Sequence, residues 1–302
     1  MMRAIEIVEV GPRDGLQNEA HLVSTAEKVE LIRRCIAAGA RRIEVASFVN
    51  PRKVPQMADA EAVVEKLGQV DGVTRIGLVL NLRGAERALA SGVDQLGAVA
   101  VASDQFGMRN QGQDSARSVD EAVRIIALAK VAGRSAQVTI AAAFGCPFQG
   151  EIDPEHVVAM ARRLAEAGPA EIALADTIGV AVPAQVTALV GAVRAAIAPL
   201  PVRVHFHDTR NTGIANVWAA VAAGAVTVDA ALGGLGGCPF APGAAGNVAT
   251  EDVAYLFARS GIETGLDSAK LLEASHWLSG VMGKALPASL AKASPFPPQA
   301  PA

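Results

Sequence analysis

Three cysteines in 302 residues, Cys35, Cys146 and Cys238, are too sparse and too odd in number for a disulfide framework. They point to a reducing compartment. Charge is also scarce: Asp, Glu, Lys and Arg make up 19% of the chain, and the formal net charge is −3. So balanced a chain offers no basic face, so no nucleic-acid partner is expected. Long apolar runs are missing too. Hydrophobic residues reach 51%, yet Gly, Asp or Arg breaks each stretch before the ~20 residues a membrane span needs. The start, Met1-Met2-Arg3, runs into the alternation Ile5, Ile7, Val8, Val10, which is unlike a secretory signal. The expectation is a soluble, cytoplasmic protein with ample material for a large core.

Short apolar runs recur along the chain: Ile5–Val10, Arg42–Ala46, Arg75–Leu80, Gln95–Ala100, Gln137–Ala142, Glu171–Ala175, Val202–Phe206 and Val226–Leu232. Most are rich in Val and Ile, as buried parallel strands are. Helical patterns separate them. Ser24–Glu27 and Ser118–Glu121 read as capping boxes, and Asp153-Pro154 as a cap followed by proline at the first helical position. Ala38-Gly39, Ala167-Gly168 and Ala223-Gly224 read as helix stops. Strict alternation predicts an α/β fold, a closed (β/α)₈ TIM barrel over residues 1–293, with two extra C-terminal helical stretches at Gly246–Ser260 and Asp267–Met282. The rival, an open doubly wound sheet, wants a glycine-rich cradle after strand one, and Gly11-Pro12-Arg13-Asp14-Gly15 is not one. The Pro- and Ala-rich tail 294–302 is expected to be disordered.

In such a barrel, chemistry sits at the carboxyl ends of the strands. The unusual polar residues fall there: Arg13 and Asp14 after strand one, Glu44 and Ser47 at strand two, Asp176 and Thr177 at strand six, and His205, His207 and Asp208 at strand seven. Alternation turns both imidazoles of His205-Phe206-His207 into the mouth and Phe206 outward. The pair is either two hydrogen-bonded core histidines or the start of a metal site, and its place at a strand end beside Asp208 favours the metal. Asp14 would add a carboxylate oxygen and Asn247 an amide oxygen. That mixed set with open positions suits Mg²⁺, Mn²⁺ or Co²⁺ better than a structural zinc. Gly233-Gly234-Leu235-Gly236-Gly237 follows the last strand, so it is no dinucleotide fingerprint. It reads as a flexible, hinged loop carrying Cys238 over the pocket. Cys146 sits in a second Gly-Cys-Pro-Phe loop at the same face, as one structural and one functional thiol or as a redox pair. Cys35 lies in an apolar helix pattern and reads as core.

The stretch Val8–Glu19, the segment Ser47-Phe48-Val49 with Val54–Asp59, and Gly233–Asp252 together resemble 3-hydroxy-3-methylglutaryl-CoA lyase. The likeness runs from about residue 5 to residue 285. The Gly-Gly-Cys-Pro loop is similar to the lyase branch of the wider group rather than its synthase branch. The resemblance implies a metal bound by Asp14, His205, His207 and Asn247, and Arg13 steadying the thioester oxygen as an enolate forms. It further implies that Glu44 and Asp176 shape the polar network, that Cys238 rides the catalytic loop, and that Arg13, Gln17, Ser47 and Thr177 contact substrate. An acyl-CoA substrate, a Mg²⁺ or Mn²⁺ cofactor and a homodimer follow as expectations. Proton removal falls to Asp14 or a histidine and proton return to Cys238 or a histidine.

The chain departs from that family at Ala20, where a basic residue often helps hold CoA, at Thr139–Phe144, where a Ser or Cys commonly ends strand five, and at Arg210-Asn211-Thr212. These changes bear on the acyl group, and Arg210 with Asn211 suggests a larger or more polar one. The leading expectation is cleavage of 3-hydroxy-3-methylglutaryl-CoA to acetyl-CoA and acetoacetate. The alternatives are a related longer branched or citramalyl-type thioester, a Claisen-type synthase, and a barrel that binds acyl-CoA without turnover.

Overall fold

The computed structural model describes residues 4–237, 246–294 and 296. In chain order it runs β1 (Glu6–Glu9), α1 (Thr25–Ala37), β2 (Arg42–Ser47), α2 (Ala60–Leu67), β3 (Thr74–Val79), α3 (Leu82–Ser91), β4 (Gln95–Val101), α4 (Asp104–Asn110), α5 (Ser115–Val131) and β5 (Ser135–Ala141). It continues with α6 (Pro154–Glu166), β6 (Ile172–Asp176), α7 (Pro183–Ile197), β7 (Val202–Phe206), α8 (Gly213–Ala223), β8 (Thr227–Ala230), α9 (Thr250–Arg259) and α10 (Ser268–Met282). Each strand pairs in parallel with the next, and β8 returns to β1, closing the barrel. The fold is the expected (β/α)₈ TIM barrel, and all eight strands lie on the apolar runs. Among the described residues no helix is long and apolar enough to cross a membrane. The tail from Ser294, apart from Ser294 and Phe296, lies outside them.

Two layers make the main core. Outward strand side chains such as Val204 and Phe206 meet the inner faces of the helices, and both are fully buried. In α1 the stripe Val29, Leu31, Ile32 and Cys35 faces the barrel, so Cys35 is core, and burial pushes its thiol pKa well up. Ser24 and Glu27 close a reciprocal capping box on α1, and Asp153 caps α6. Ser118 does not cap. Asp114 starts α5 four residues earlier. The Ser118 hydroxyl is buried in the helix and accepts from Val101 N–H, while Glu121 accepts from Leu82 N–H. A Ser-x-x-Glu pattern served tertiary contacts here, which local spacing cannot distinguish from a cap.

Only one of the two C-terminal helical stretches is extra to the barrel. Helix α9 completes the eighth strand–helix unit, and α10 packs back on α1, where the Arg34 guanidinium sits 4.8 Å over the Trp277 ring. Gly39 permits that approach. It has φ +107°, and a Cβ there would lie 2.2 Å from Gly265 O, so no other residue fits.

The barrel interior differs from the usual layers of branched aliphatic side chains. Arg42 donates to Gln137 Oε1 at 2.7 Å, to Gln95 Oε1 at 3.2 Å and to Glu171. One layer up, Arg203 holds both oxygens of Asp229 at 2.7 and 2.6 Å and Thr139 Oγ1 at 3.0 Å. Its Nε lies 3.1 Å from Glu171 Oε1. A register shift between Glu44 and Ala46 marks the top of β2, the kind of irregularity that re-aims a side chain beside a site.

Because α9 belongs to the barrel, truncating its fully buried Phe257 is expected to cost about 3–5 kcal/mol. In urea, Phe257→Ala should unfold in one transition at a lower midpoint. A separate early transition for the C-terminal helices would show that α9 is an appendage.

Candidate active site at the barrel mouth

The chain leaves β1 through a tight turn at Gly11–Gly15, in which the N–H groups of Arg13, Asp14 and Gly15 all point at Val10 O. That turn throws Arg13 and Asp14 across the mouth. Arg13 Nε donates to Glu44 Oε2 at 2.7 Å, and its Nη1 to Asp14 Oδ1 at 2.6 Å. The guanidinium is thereby clamped between two carboxylates, with N–H groups to spare. Burial would raise the Asp14 pKa, but the charge of Arg13, with His207 and His205, outweighs it and holds Asp14 well below the usual carboxylate range.

Both imidazoles face the mouth as alternation requires, with ring centroids 5.2 Å apart. Phe206 between them packs outward on Phe144. Asp14 Oδ2 lies 3.7 Å from Nε2 of His205 and 3.7 Å from Nε2 of His207. These separations exceed hydrogen-bond range. Asp14, His205 and His207 offer one ligand atom each, all within 4.8 Å of one another, and His207 Nδ1 is buried without a partner. Three donors turned on a common point and not satisfied by each other fit a divalent cation.

Asn247 does approach, with its backbone bridging to His207. Its amide nitrogen, not its oxygen, faces the site: Nδ2 donates to Asp14 Oδ2 at 2.9 Å and Leu235 O at 3.0 Å. A carboxylate and a carbonyl both call for a donor, and the NH₂ supplies it. Asn247 would have to rotate its amide to offer oxygen in that position.

The cavity beneath has a volume of about 170 Å³ and two unlike walls. Leu78, Leu80, Val99 and Phe106 form the apolar side. Arg13, Asp14, His205, His207 and Asp229 form the polar one. Of the other expected residues, Glu44, Gln17 and Thr177 line the cavity. Thr177 Oγ1 also accepts from Ala142 N–H. Ser47 is fully buried and donates to Gln17 Oε1 at 3.0 Å, so it braces a lining residue rather than lining the pocket itself. Asp176 falls on the outward parity of β6, one residue past the inward Ala175. Its carboxylate accepts from the N–H groups of Val180 and Ala181, which organises the loop behind the site rather than the network around Arg13. Arg210 is exposed, donates through Nη1 to the carbonyls of Ile178 and Gly179, and is not among the residues lining the cavity. Cys238 lies outside the described residues. Cys146 is buried, with its Sγ 2.9 Å from Ser103 Oγ.

Three acidic residues escaped the sequence reading. Asp229 on β8 holds His205 Nδ1 at 3.2 Å. Glu9 joins the site's segments: its Oε1 accepts from Gly11 N–H at 2.7 Å and Leu232 N–H at 2.9 Å, and its Oε2 from Thr250 Oγ1 at 2.7 Å. Glu251 accepts from Gly233 N–H. Ala288 N–H reaches Gly233 O, and a Cβ on Gly233 would strike Leu286. Gly233 and Gly234, with φ +73° and +69°, therefore serve positive φ and close approach at a pinned loop base, not the hinge expected of them. The only signal for Glu9 and Asp229 was an acidic residue inside an otherwise apolar strand.

Residues 4–278 match the HMGL-like family model, and the chain belongs to that family. It is a carbon–carbon lyase. It is 46% identical over 308 residues to the (R)-citramalyl-CoA lyase of Chloroflexus aurantiacus, covering 99% of this chain and 97% of that one. It is 40% identical to the 3-hydroxy-3-isohexenylglutaryl-CoA/hydroxymethylglutaryl-CoA lyase of Pseudomonas aeruginosa, covering 96% and 97%. Among solved structures, an HMG-CoA lyase from Acinetobacter baumannii in complex with coenzyme A and 3-methylmalate superposes with a TM-score of 0.94 at 38% identity, covering 99% and 98%.

Burial raises the Glu9 carboxyl to about 7, and its three hydrogen bonds only partly offset this. Between about pH 4.5, its ordinary value, and pH 7 the folded chain keeps a proton that the unfolded chain has released. Stability therefore falls as pH rises through this window, by roughly 3 kcal/mol in total. Gln imitates the neutral acid, because Oε1 can still accept twice and Thr250's hydroxyl can accept from the amide. In urea titrations Glu9→Gln should match the native chain near pH 5 and exceed it at pH 8. A stability gap that does not change with pH would show that Glu9 does not titrate in this range.

Proposed function

We propose that this lyase breaks the C2–C3 bond of a 3-hydroxy-3-methyl acyl-CoA bearing a free carboxylate, releasing acetyl-CoA with the help of a divalent metal. The observation that carries this reading is the convergence of Asp14, His205 and His207 beside a carboxylate-clamped Arg13. A divalent ion, Mg²⁺ or Mn²⁺, held by those three residues and by Asn247 after its amide turns, would acidify the hydroxyl of a chelated substrate. Asp14 and the histidines are the basic atoms near that hydroxyl. As its proton leaves, C3 becomes a carbonyl and the C2–C3 electron pair moves into the thioester, whose oxygen turns anionic. Arg13 keeps N–H groups free for that oxygen, and its clamp fixes them before charge develops. Protonation at C2 completes acetyl-CoA, and Cys238 is the proposed donor.

The acyl group is read from similarity. Identity of 46% with a citramalyl-CoA lyase, against 40% and 38% with proteins named for hydroxymethylglutaryl-CoA, favours the citramalyl-type substrate. In that thioester the carboxylate sits on the hydroxyl-bearing carbon, and the second product is pyruvate. Hydroxymethylglutaryl-CoA, one methylene longer and yielding acetoacetate, is the second reading, favoured by the motifs through residues 8–19 and 233–252. The coenzyme A bound in the Acinetobacter structure supports a CoA thioester in either case.

Purified protein with Mn²⁺ and racemic citramalyl-CoA should release pyruvate, and do so at a higher kcat/KM than it releases acetoacetate from hydroxymethylglutaryl-CoA. The reverse order would install the second reading, and no cleavage of either would remove both. EDTA should abolish turnover and excess Mn²⁺ restore it. Full activity after chelation would end the metal mechanism. Arg13→Met should lower kcat about 10³-fold with the fold kept. A change in KM alone would deny Arg13 the enolate role.

A further inference from the structure

The two mouth histidines are not equivalent. His207 Nδ1 is buried with no partner, whereas His205 Nδ1 lies 3.2 Å from Asp229 Oδ2. Asp229 is itself gripped through both oxygens by Nη1 of Arg203 at 2.7 and 2.6 Å. Arg203 cannot drift, because Nη2 holds Thr139 Oγ1 at 3.0 Å and Nε lies 3.1 Å from Glu171 Oε1. Arg203, Asp229 and Glu171 are each less than 5% exposed. A carboxylate that already receives a guanidinium can only accept from an imidazole, so Nδ1 of His205 carries the proton. Its Nε2 faces Asp14 Oδ2 at 3.7 Å.

We propose that Arg203, in the layer below the mouth, is a positioning residue that acts through Asp229 to fix the tautomer and ring orientation of His205 as a ligand. This rests on the metal reading above. It adds a residue that touches neither metal nor substrate. With Met at 203, Asp229 Oδ1 loses the donor that holds it, and the carboxylate can turn away from His205. With Asn at 229, an amide NH₂ can face Nδ1 and favour the opposite tautomer, while the amide oxygen still accepts from Arg203.

The experiment uses the full chain labelled with ¹⁵N-histidine. Only five histidines are present, and the His205 signals are assigned by their loss in His205→Gln. Long-range ¹H–¹⁵N spectra report each tautomer without metal, and calorimetry gives the Mn²⁺ affinity. The native chain and Arg203→Lys, which keeps a cation beside Asp229, should show His205 protonated at Nδ1. Arg203→Met and Asp229→Asn should lose that preference and bind Mn²⁺ about 10–100-fold more weakly. Asp229→Asn keeps the side-chain shape, so it tests the chain of contacts even if Arg203→Met fails to fold. An unchanged His205 tautomer and unchanged Mn²⁺ affinity in Asp229→Asn would overturn the proposal and leave Arg203 as barrel filling. A native chain that binds no Mn²⁺ would instead fail the metal reading, and the tautomer spectra would still decide whether Arg203 and Asp229 set His205.

Discussion

A guanidinium buried inside a barrel must be matched by carboxylates, and that demand organises this molecule from floor to mouth. Arg42 at the floor is answered by Glu171 and Arg203 above it by Glu171 and Asp229, while Arg13 at the mouth is answered by Glu44 and Asp14. Burying any one ion alone costs several kcal/mol even after relaxation. The charges therefore stand only as a set, and each fixes the rotamer of the next. The interior that another barrel fills with Val and Leu is here a chain of alternating signs.

That chain explains why the mouth can hold like charges and bare donors at short range. Asp14 stays ionised at the mouth because Arg13 faces it, and Arg13 stays in place because Glu44 holds its other edge. The cation that three converging donors call for is then matched by a site whose own charges are already arranged. A flexible acid at position 14 would have to be ordered at the moment of binding. The tight turn at Gly11–Gly15 and the Glu9 hydrogen bonds to Gly11 and Leu232 have done that beforehand.

Much of this was legible in the sequence, and for stated physical reasons. A parallel strand buried on its outward face must be apolar there, so Val202, Val204 and Phe206 announced β7. The period of two then placed His205 and His207 inside without further information. Their place at the ends of strands also carried Asp14, Glu44 and Thr177 to the mouth. It failed where one residue changes the answer. Asp176 follows an inward Ala175, so it points away, and only the register shows that. Nor does sequence show that Arg210 reaches the carbonyls of Ile178 and Gly179. Asp229 and Arg203 lay unnoticed because their significance is mutual. They are 26 residues apart, and neither spacing nor composition pairs them.

In the proposed reaction the two walls of the cavity would divide the labour of recognition from that of chemistry. Charge would develop there on the side built by β1, β7 and β8, where Arg13 is braced by Glu44 and His205 by Asp229. The opposite side, Leu78, Leu80, Val99 and Phe106 with the amide of Asn110, carries no charge. Along that apolar wall a change of residue alters volume while the charged lattice stays intact, and along the charged wall a change breaks several partners together. Relatives named for acyl groups of different length are similar to this chain over nearly its whole length. In the proposed reaction the charged wall would fix the bond to be broken, and the uncharged side chains opposite would set the length of the acyl group.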